Sequence, residues 1–478
     1  MARDRAGENV PTPSGSGSGE GAGPGSAGTS TLLVLGACGD LAARLLLPGL
    51  GGLLTQREVG DLFLVGSDTA EWSDDQWRQR VSESFATVSA NGKQADEVVR
   101  SCRYLRADVT DEDHLRRLLD ACTGQVTIYF ALPPAVTARA CGLLADLGVP
   151  EDTRLVMEKP FGTDGPSAHE LNELVTRLVP ENQVYRVDHY LGMSTVLNML
   201  GMRFANRMLE SVLDAENVSS VDIVFDESLG LEGRAGYYDG AGALVDMIQS
   251  HALQVLALLT MEAPSTLGAE DLQDAKSRVL RATSLWDEDP VRYSRRARYT
   301  AGTIGERRLP AYVDEEGVDP ARRTETFAEV VVAVNTWRWA GVPFRLRAGK
   351  ALSALRKEAV ITFKGPRWVP EGLAGYEQPD RMRIGFDPDL VGLDFNLNGP
   401  GDPFTVDRVS LESPSGPGDL PPYGEVLAEV LGGDPTMSVR GDQAEQAWRI
   451  VAPVRAAWRD DRVELEEYPA GSDGPGAP

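Results

Sequence analysis

Thr31-Leu-Leu-Val-Leu-Gly-Ala-Cys-Gly-Asp40 is the stretch that decides the fold. Thr31 to Leu35 is an apolar run of strand length, Gly36 to Asp40 is a turn, and a helix-like run begins at Leu41. Strand, glycine turn and helix in that order form the first unit of a dinucleotide-binding fold. The glycines let the backbone approach a pyrophosphate, and the helix N-terminus offers it free N–H groups. The spacing is GxxG rather than GxGxxG, so the turn alone is equally consistent with a plain connection.

Further apolar runs follow at Leu62–Val65, Val126–Leu132 and Leu155–Met157, with helix-like segments between them, including Asp74–Phe85 and Asp113–Cys122. This alternation predicts a parallel sheet. Pro133-Pro134 marks a loop at a strand's carboxyl end, the side on which such sheets bind ligands. Glu158-Lys159-Pro160-Phe161-Gly162 ends the next strand, and Lys159 there reads either as a solvated charge or as a ligand contact. Gln183–Val187 then delivers Asp188, His189 and Tyr190.

The second half has a different texture. Thr195–Leu213 and Asp239–Met261 are helical patterns. Val221–Phe225, Ala328–Thr336, Phe344–Arg347, Ala359–Phe363, Arg381–Phe386 and Leu390–Asn396 are strand-like. Strands in succession imply a mostly antiparallel sheet. The expected organisation is a disordered Gly/Ser/Pro tail over 1–30 and a Rossmann-like α/β domain over 31–187. An α+β domain for substrate and oligomer contacts follows over 188–469, then a flexible tail over 470–478.

The 478 residues suffice for two or three domains, and 42% hydrophobic with 25% charged residues is ordinary for a globular protein. A formal charge of −25 repels nucleic-acid phosphates and anionic lipid, so neither is an expected partner. Cys38, Cys102, Cys122 and Cys141 lie in the first third without metal-binding spacing, which reads as reduced thiols in a cytoplasmic protein with no metal. No apolar run is expected to reach the ~18 residues needed to span a bilayer.

Hydride loss from an alcohol carbon needs a base for the hydroxyl proton, and histidine is the natural one near neutral pH. The chain has four histidines. His114 and His169 fall in charged, surface-like helices. His189 follows a strand end. His251 sits among apolar residues, where it reads either as a satisfied core histidine or, in the company of Asp246, Gln249 and Ser250, as a base. Asp188 or Asp246 could fix its tautomer. Glu227 and Asp246 could accept hydrogen bonds from sugar hydroxyls.

Together these segments resemble the glucose-6-phosphate dehydrogenase family. The matching pieces are Gly36-Ala-Cys-Gly-Asp-Leu-Ala42, Glu158-Lys-Pro-Phe-Gly162, Arg186-Val-Asp-His-Tyr-Leu-Gly192, Arg203-Phe-Ala-Asn206, Glu232-Gly-Arg-Ala-Gly-Tyr-Tyr-Asp239, Asp246-Met-Ile-Gln-Ser-His251 and Gly349-Lys-Ala-Leu352. The resemblance implies hydride transfer from C1 of an aldose, glucose 6-phosphate in the family, to NADP or NAD, giving the lactone. It implies that His251 is the base, Asp188 its carboxylate partner, and Lys159 a contact to both substrate and coenzyme. Glu227, Asp246 and Lys350 would meet the sugar, with His189 and Tyr190 at its 6-phosphate. Gly36, Cys38, Gly39, Asp40, Leu41, Ser67, Asp68, Pro133 and Pro134 would line the coenzyme, and a homodimer or homotetramer is expected.

Three departures stand out. Met193 replaces the family's phosphate-contacting lysine, a change worth roughly 1.5–3 kcal/mol if the position faces that phosphate. Asp68 and Thr69 occupy the segment where the family carries an arginine for the 2′-phosphate of NADP, and an acid there suits a free ribose hydroxyl; Asp68 also reads as a helix cap. Leu45 stands where a lysine often does. These leave two other expectations: an NAD-linked dehydrogenase of another or unphosphorylated sugar, and a catalytically weak paralogue with a regulatory role.

Overall fold

A computed structural model describes residues 28–398, 401–414, 416 and 418–476, so all but the last three residues of the expected N-terminal tail lie outside it. The first domain is built on six strands: β1 (Ser30–Leu35), β2 (Leu62–Asp68), β3 (Arg103–Arg106), β4 (Gln125–Phe130), β5 (Arg154–Met157) and β6 (Val184–Arg186). They form one parallel sheet in the order β3-β2-β1-β4-β5-β6. The apolar run at β1 is continuous because the strand is covered on both faces. Leu33 and Leu35 point into one core with Ile128 and Phe130, while Leu32 and Val34 point into the other with Leu64 and Tyr129. Chain order reverses between β1 and β4, which opens a crevice at the carboxyl edge beside the glycine turn.

The second domain carries a ten-stranded mixed sheet. Its strands are β7 (Val218–Asp226), β8 (Thr283–Leu285), β9 (Ser294–Thr300), β12 (Phe327–Val334), β13 (Pro343–Gly349), β14 (Arg356–Phe363), β15 (Arg381–Asp387), β16 (Asp389–Asn398), β17 (Val406–Pro414) and β18 (Leu465–Pro469); β10 (Gly302–Ile304) and β11 (Arg307–Leu309) pair apart from it. Most neighbours are antiparallel, and β7 with β13 and β18 with β9 are the parallel pairs. A helical run, Ala235–Thr260, packs its apolar residues against this sheet and the helices around it.

Three expectations are corrected here. The run Ala235–Thr260 has 26 residues and contains an 18-residue window of mean hydropathy 1.4, enough by length and composition to cross a membrane, contrary to the sequence reading. Its apolar stretch is 83% buried within the protein, as a core helix requires. The helical pattern Thr195–Leu213 breaks after Phe204, where Asn206 donates its side-chain amide to the carbonyls of Gly201 (3.3 Å) and Met202 (3.0 Å) and so ends the helix Ser194–Phe204. Of the expected flexible tail over 470–478, residues 471–473 are pinned rather than loose and residues 477–478 lie outside the described residues: Gly471 N donates to Ala351 O at 2.8 Å, Ser353 N to Ser472 O at 2.8 Å, and the Arg347 guanidinium to Asp473 O at 2.9 Å. Its glycines and polar residues hold it through the backbone, which a hydrophobicity reading does not register.

Candidate active site

The glycine turn is shaped by what lies behind it. Gly36 has φ +86°, and a Cβ there would lie 2.2 Å from the carbonyl oxygen of Ala131, so only glycine fits. Gly36 N and Ala37 N donate to Ser67 O at 2.9 and 3.0 Å, Gly39 N to Gly36 O at 3.1 Å, and Cys38 N to the Asp68 carboxylate at 3.2 Å. The other oxygen of Asp68 accepts from Thr69 N at 2.7 Å. Ser67 and Asp68 thus close the turn from the end of β2. Asp40, at its exposed end, pairs loosely with Arg44 at 3.7 Å.

Beyond the turn lies a cavity of about 530 Å³ lined by Leu41, Pro133, Pro134, Lys159, Tyr237 and Trp448, among others. A second cavity of about 420 Å³ shares Leu41, Glu158, Lys159 and Tyr237 with it and continues to His189, Tyr190, Glu227, Asp246, His251 and Lys350. A crevice split this way suits a dinucleotide in one arm and a small polar substrate in the other. The tight Gly36–Ala131 approach keeps the turn clear of side chains, as a pyrophosphate requires, while the N–H groups of Gly36, Ala37, Cys38 and Gly39 are spent within the turn.

His251 is completely buried at the floor. It lies on a π-helical segment, Leu244–Ala252, together with Asp246. In an α-helix, residues five apart point about 140° away from each other. The wider π turn swings them toward a common face, and both reach Lys159, whose Nζ is 2.8 Å from Asp246 Oδ1 and 2.8 Å from His251 Nε2. From the other side, the Asp188 carboxylate lies 2.6 Å from His251 Nδ1 and also accepts from Tyr190 N at 3.0 Å. Nδ1 therefore carries the hydrogen and donates to Asp188, leaving the Nε2 lone pair toward the cleft.

The electrostatics follow this layout. Burial lowers the His251 pKa; Asp188 pulls it up and Lys159 pushes it down, and the net shift is downward. Burial opposes the Asp188 charge, but His251 beside it holds the carboxyl below its ordinary value. Asp246 likewise stays ionised against its burial because of Lys159 and then Lys350. Lys159 keeps its charge against burial through Asp246. Burial, with the charges on His251 and Lys159, brings His189 down to about 3, so it offers a neutral imidazole. Asp188, His189 and His251 place potential metal-ligating atoms within 4.8 Å of one another, and the Asp188–His251 hydrogen bond accounts for the closeness of two of them.

At the far wall, Glu227 is bound by Lys350 at 2.7 Å and by Lys357 at 3.2 Å. Burial opposes its charge, and these two ammonium groups hold it below the usual carboxylate range. Met193 is the expected substrate residue that the cavity lining does not include. It precedes the helix Ser194–Phe204 and packs, half-buried, against the apolar core. A thioether has no reason to face a polar cleft when apolar contacts are at hand.

The sequence reading missed Lys357, Arg234, Tyr237, Tyr423 and Glu158, all of which line the substrate arm. Glu158 was within reach, being the neighbour of Lys159 at the same strand end. It accepts from Tyr129, and burial pushes its carboxyl up to about 7. Tyr423 comes from a helix more than 200 residues further on, Pro422–Gly432, and carried no local signal.

A doubly wound parallel sheet with a glycine turn, opening beside a histidine of fixed tautomer, defines a dinucleotide-dependent oxidoreductase. Residues 33–198 match the family described as "Glucose-6-phosphate dehydrogenase, NAD binding domain", and residues 200–478 match "Glucose-6-phosphate dehydrogenase, C-terminal domain". The glucose-6-phosphate 1-dehydrogenase of Mycolicibacterium smegmatis is 37% identical over 467 residues, covering 93% of this chain and 94% of the relative. The Zymomonas mobilis enzyme of the same name is 33% identical over 93% of this chain and 96% of its own length. Among solved structures, a glucose-6-phosphate dehydrogenase in complex with its substrate glucose-6-phosphate superposes with a TM-score of 0.83 at 28% identity, covering 94% of this chain and 96% of that one. The Mycobacterium avium enzyme gives 0.80 at 32% identity, covering 93% and 95%. The chain belongs to the glucose-6-phosphate dehydrogenase family.

Proposed function

We propose that this protein oxidises glucose 6-phosphate at C1 with a nicotinamide coenzyme, forming the lactone. The observation that carries the reading is the convergence of Asp188, His251, Lys159 and Asp246 at the junction of the two cavity arms. The coenzyme, when bound, supplies the hydride acceptor. His251 Nε2 takes the proton of the C1 hydroxyl as the carbonyl forms, and Asp188 stabilises the imidazolium through Nδ1–H. In the ligand-free arrangement Lys159 donates to Nε2, so the substrate hydroxyl displaces it. The freed ammonium, still tied to Asp246, is then placed to contact both the sugar and the coenzyme. Glu227 and Asp246 accept from sugar hydroxyls. Lys350 and Lys357, with Arg234 lining the same arm, supply cations for the phosphate in place of the lysine absent at position 193.

The coenzyme is NAD in this reading. Asp68, at the end of β2 and against the glycine turn, is an acceptor for a ribose 2′-hydroxyl and repels a 2′-phosphate. The neighbouring Arg106 is engaged by Thr69 O and Glu71. Exposed Leu397 on β16 and Leu411 on β17 favour a second copy of the chain seated on the outer large sheet. A monomeric mass by sedimentation at micromolar concentration ends that part.

One observation favours a second reading, an unphosphorylated or different sugar: Met193 is turned into the core, and Leu45, at the cleft rim, is 46% exposed where a lysine would add charge. Steady-state rates on glucose 6-phosphate and glucose, each with NAD and NADP, separate the two. The expected result is the highest kcat/KM for glucose 6-phosphate with NAD. A preference for glucose supports the second reading, and no turnover in any combination removes the first and leaves a different sugar or a non-catalytic role.

A further inference from the structure

On the side of Asp188 away from the cleft lies a set of buried polar groups that hydride transfer does not use. Lys276, on the helix Ala269–Ala282, is 0% exposed, and its Nζ has no hydrogen-bond partner among the described residues. Asp188 spends one oxygen on His251 and Tyr190; its other oxygen, Oδ2, is buried and also without a partner. A cavity of about 10 Å³, room for a single water, is lined by Asp188, Tyr185, Gly192, Glu429, Met437 and Ser438.

The helix bearing Lys276 is fastened to the wall that includes Met437 and Ser438. Gln273, one turn earlier, donates to Pro435 O at 2.6 Å and accepts on its own carbonyl from the Gln443 side chain at 2.9 Å. Ser277 contacts Asp442 at 3.2 Å and Arg440 at 3.1 Å. Lys276 thus sits on the helix face between these anchors. The Oε1 of Gln443, also buried and without a partner, adds an acceptor on the same side.

We propose that Lys276 is a positioning residue for the reaction, its buried ammonium supplying from behind the counter-charge that holds the Asp188 carboxylate ionised and aligned on His251. This rests on the reading of His251 as the base. A lone buried ammonium is costly unless a counter-charge compensates it. Burial brings Lys276 down to about 8, and the strongest attraction on it is Asp188, followed by Glu429. Below pH 8 it is therefore mainly a cation. Glu429, on the helix Pro422–Gly432, is itself pushed up to about 8 by burial and by Asp434 and Glu425, so it is largely neutral at pH 7. Of the remaining charges acting on Lys276, Arg440 repels it and Asp442 attracts it more weakly than Asp188 does.

The consequence for catalysis has a definite sign. Asp188 raises the His251 pKa against the lowering by burial and by Lys159. A cation behind Asp188 opposes that rise without entering the cleft. Removing the cation should therefore raise the His251 pKa, and keeping it as arginine should not.

The test compares Lys276→Met, Lys276→Gln and Lys276→Arg with the unmodified full-length protein. The pH profile of kcat is measured, and the histidines are titrated by nitrogen-15 NMR, with His251→Asn identifying the His251 signal. Met and Gln should each move the acid limb of kcat, and the His251 titration, up by about one pH unit. They should lower kcat about tenfold at pH values on the acid limb, no more than about threefold near neutrality, and leave both KM values within about twofold. Arg should leave the limb in place. Two variants guard against one failing to fold. A limb and a titration that stay put in Met and Gln overturn the proposal, as does an equal shift in Arg. The titration needs no turnover, so a protein inactive on glucose 6-phosphate would sink the reaction reading while this proposal was still decided on its own terms.

Discussion

The Nδ1 of His251 and a carboxylate oxygen of Asp188 lie 2.6 Å apart, both side chains buried and 63 residues separated in sequence. A hydrogen bond of this length between a buried imidazole and an anion fixes which nitrogen carries the hydrogen. Asp188→Asn keeps the shape but can present its amide to Nδ1 and select the wrong tautomer. We expect kcat to fall by about 10³–10⁴, with coenzyme affinity unchanged. Stopped-flow turnover with fluorescence binding of the coenzyme checks it; a loss below tenfold would show that His251 is only a core residue.

Lys159 touches the nitrogen that must accept the proton. Its charge helps keep the His251 pKa below the ordinary value, so the base stays neutral, and the enzyme active, to lower pH. Lys159→Gln removes that repulsion, and the His251 pKa rises. Activity is then lost over the pH interval between the old and new values, an upward shift of the acid limb of about 1–2 units. The variant also leaves Asp246 without its ion partner, so kcat should drop at every pH. A limb that moves down instead would contradict the assignment of the lowered pKa to Lys159.

Gly36→Ala places a methyl 2.2 Å from the Ala131 carbonyl oxygen at a backbone φ of +86°. The two costs together come to about 2–4 kcal/mol. The turn must shift, and coenzyme affinity should fall at least tenfold while the far sheet keeps its thermal transition. Calorimetric titration with NAD reads the first effect and a thermal melt the second.

Asp68 makes the coenzyme preference testable. Asp68→Ser removes the charge that disfavours a 2′-phosphate and retains a polar side chain. The kcat/KM for NADP should rise about tenfold relative to that for NAD. An unchanged ratio would mean that Asp68 serves the glycine turn through Cys38 N and Thr69 N and nothing else.

Lys357 tests where the sugar phosphate sits. Lys357→Met should raise the KM for glucose 6-phosphate about tenfold or more, the worth of a charge-assisted contact, and leave that for NAD alone. Equal effects on glucose and glucose 6-phosphate would place the lysine at the sugar ring.

Much of the first domain was legible because parallel strands buried on both faces appear as continuous apolar runs, as Thr31–Leu35 and Leu155–Met157 do. Strands that lean on charge were invisible. β9 reads Ser-Arg-Arg-Ala-Arg-Tyr-Thr, and its pairing with β18 is carried in part by Arg295 against Glu466 at 2.5 Å. β17 was missed for a similar reason, since its residues are largely exposed. At the site, Asp188 and Lys159 could be marked as strand-end residues, but Lys357 and Tyr423 could not.

By itself the sequence determined the glycine turn, five of the first sheet's six strands (all but the edge strand β3, Arg103–Arg106) and the set of residue types available for the chemistry. Those properties are local: strand, turn and helix preferences, and the burial pattern of each run, act over a few residues. Tertiary structure alone decided which of His189 and His251 meets a carboxylate, because that depends on a π turn bringing His251 and Asp246 to Lys159 while β6 delivers Asp188 from the opposite domain. It also decided that Met193 faces the core and that Lys357 faces the cleft. A side chain's direction at such positions is fixed by what packs against it, and the packing partners come from distant parts of the chain.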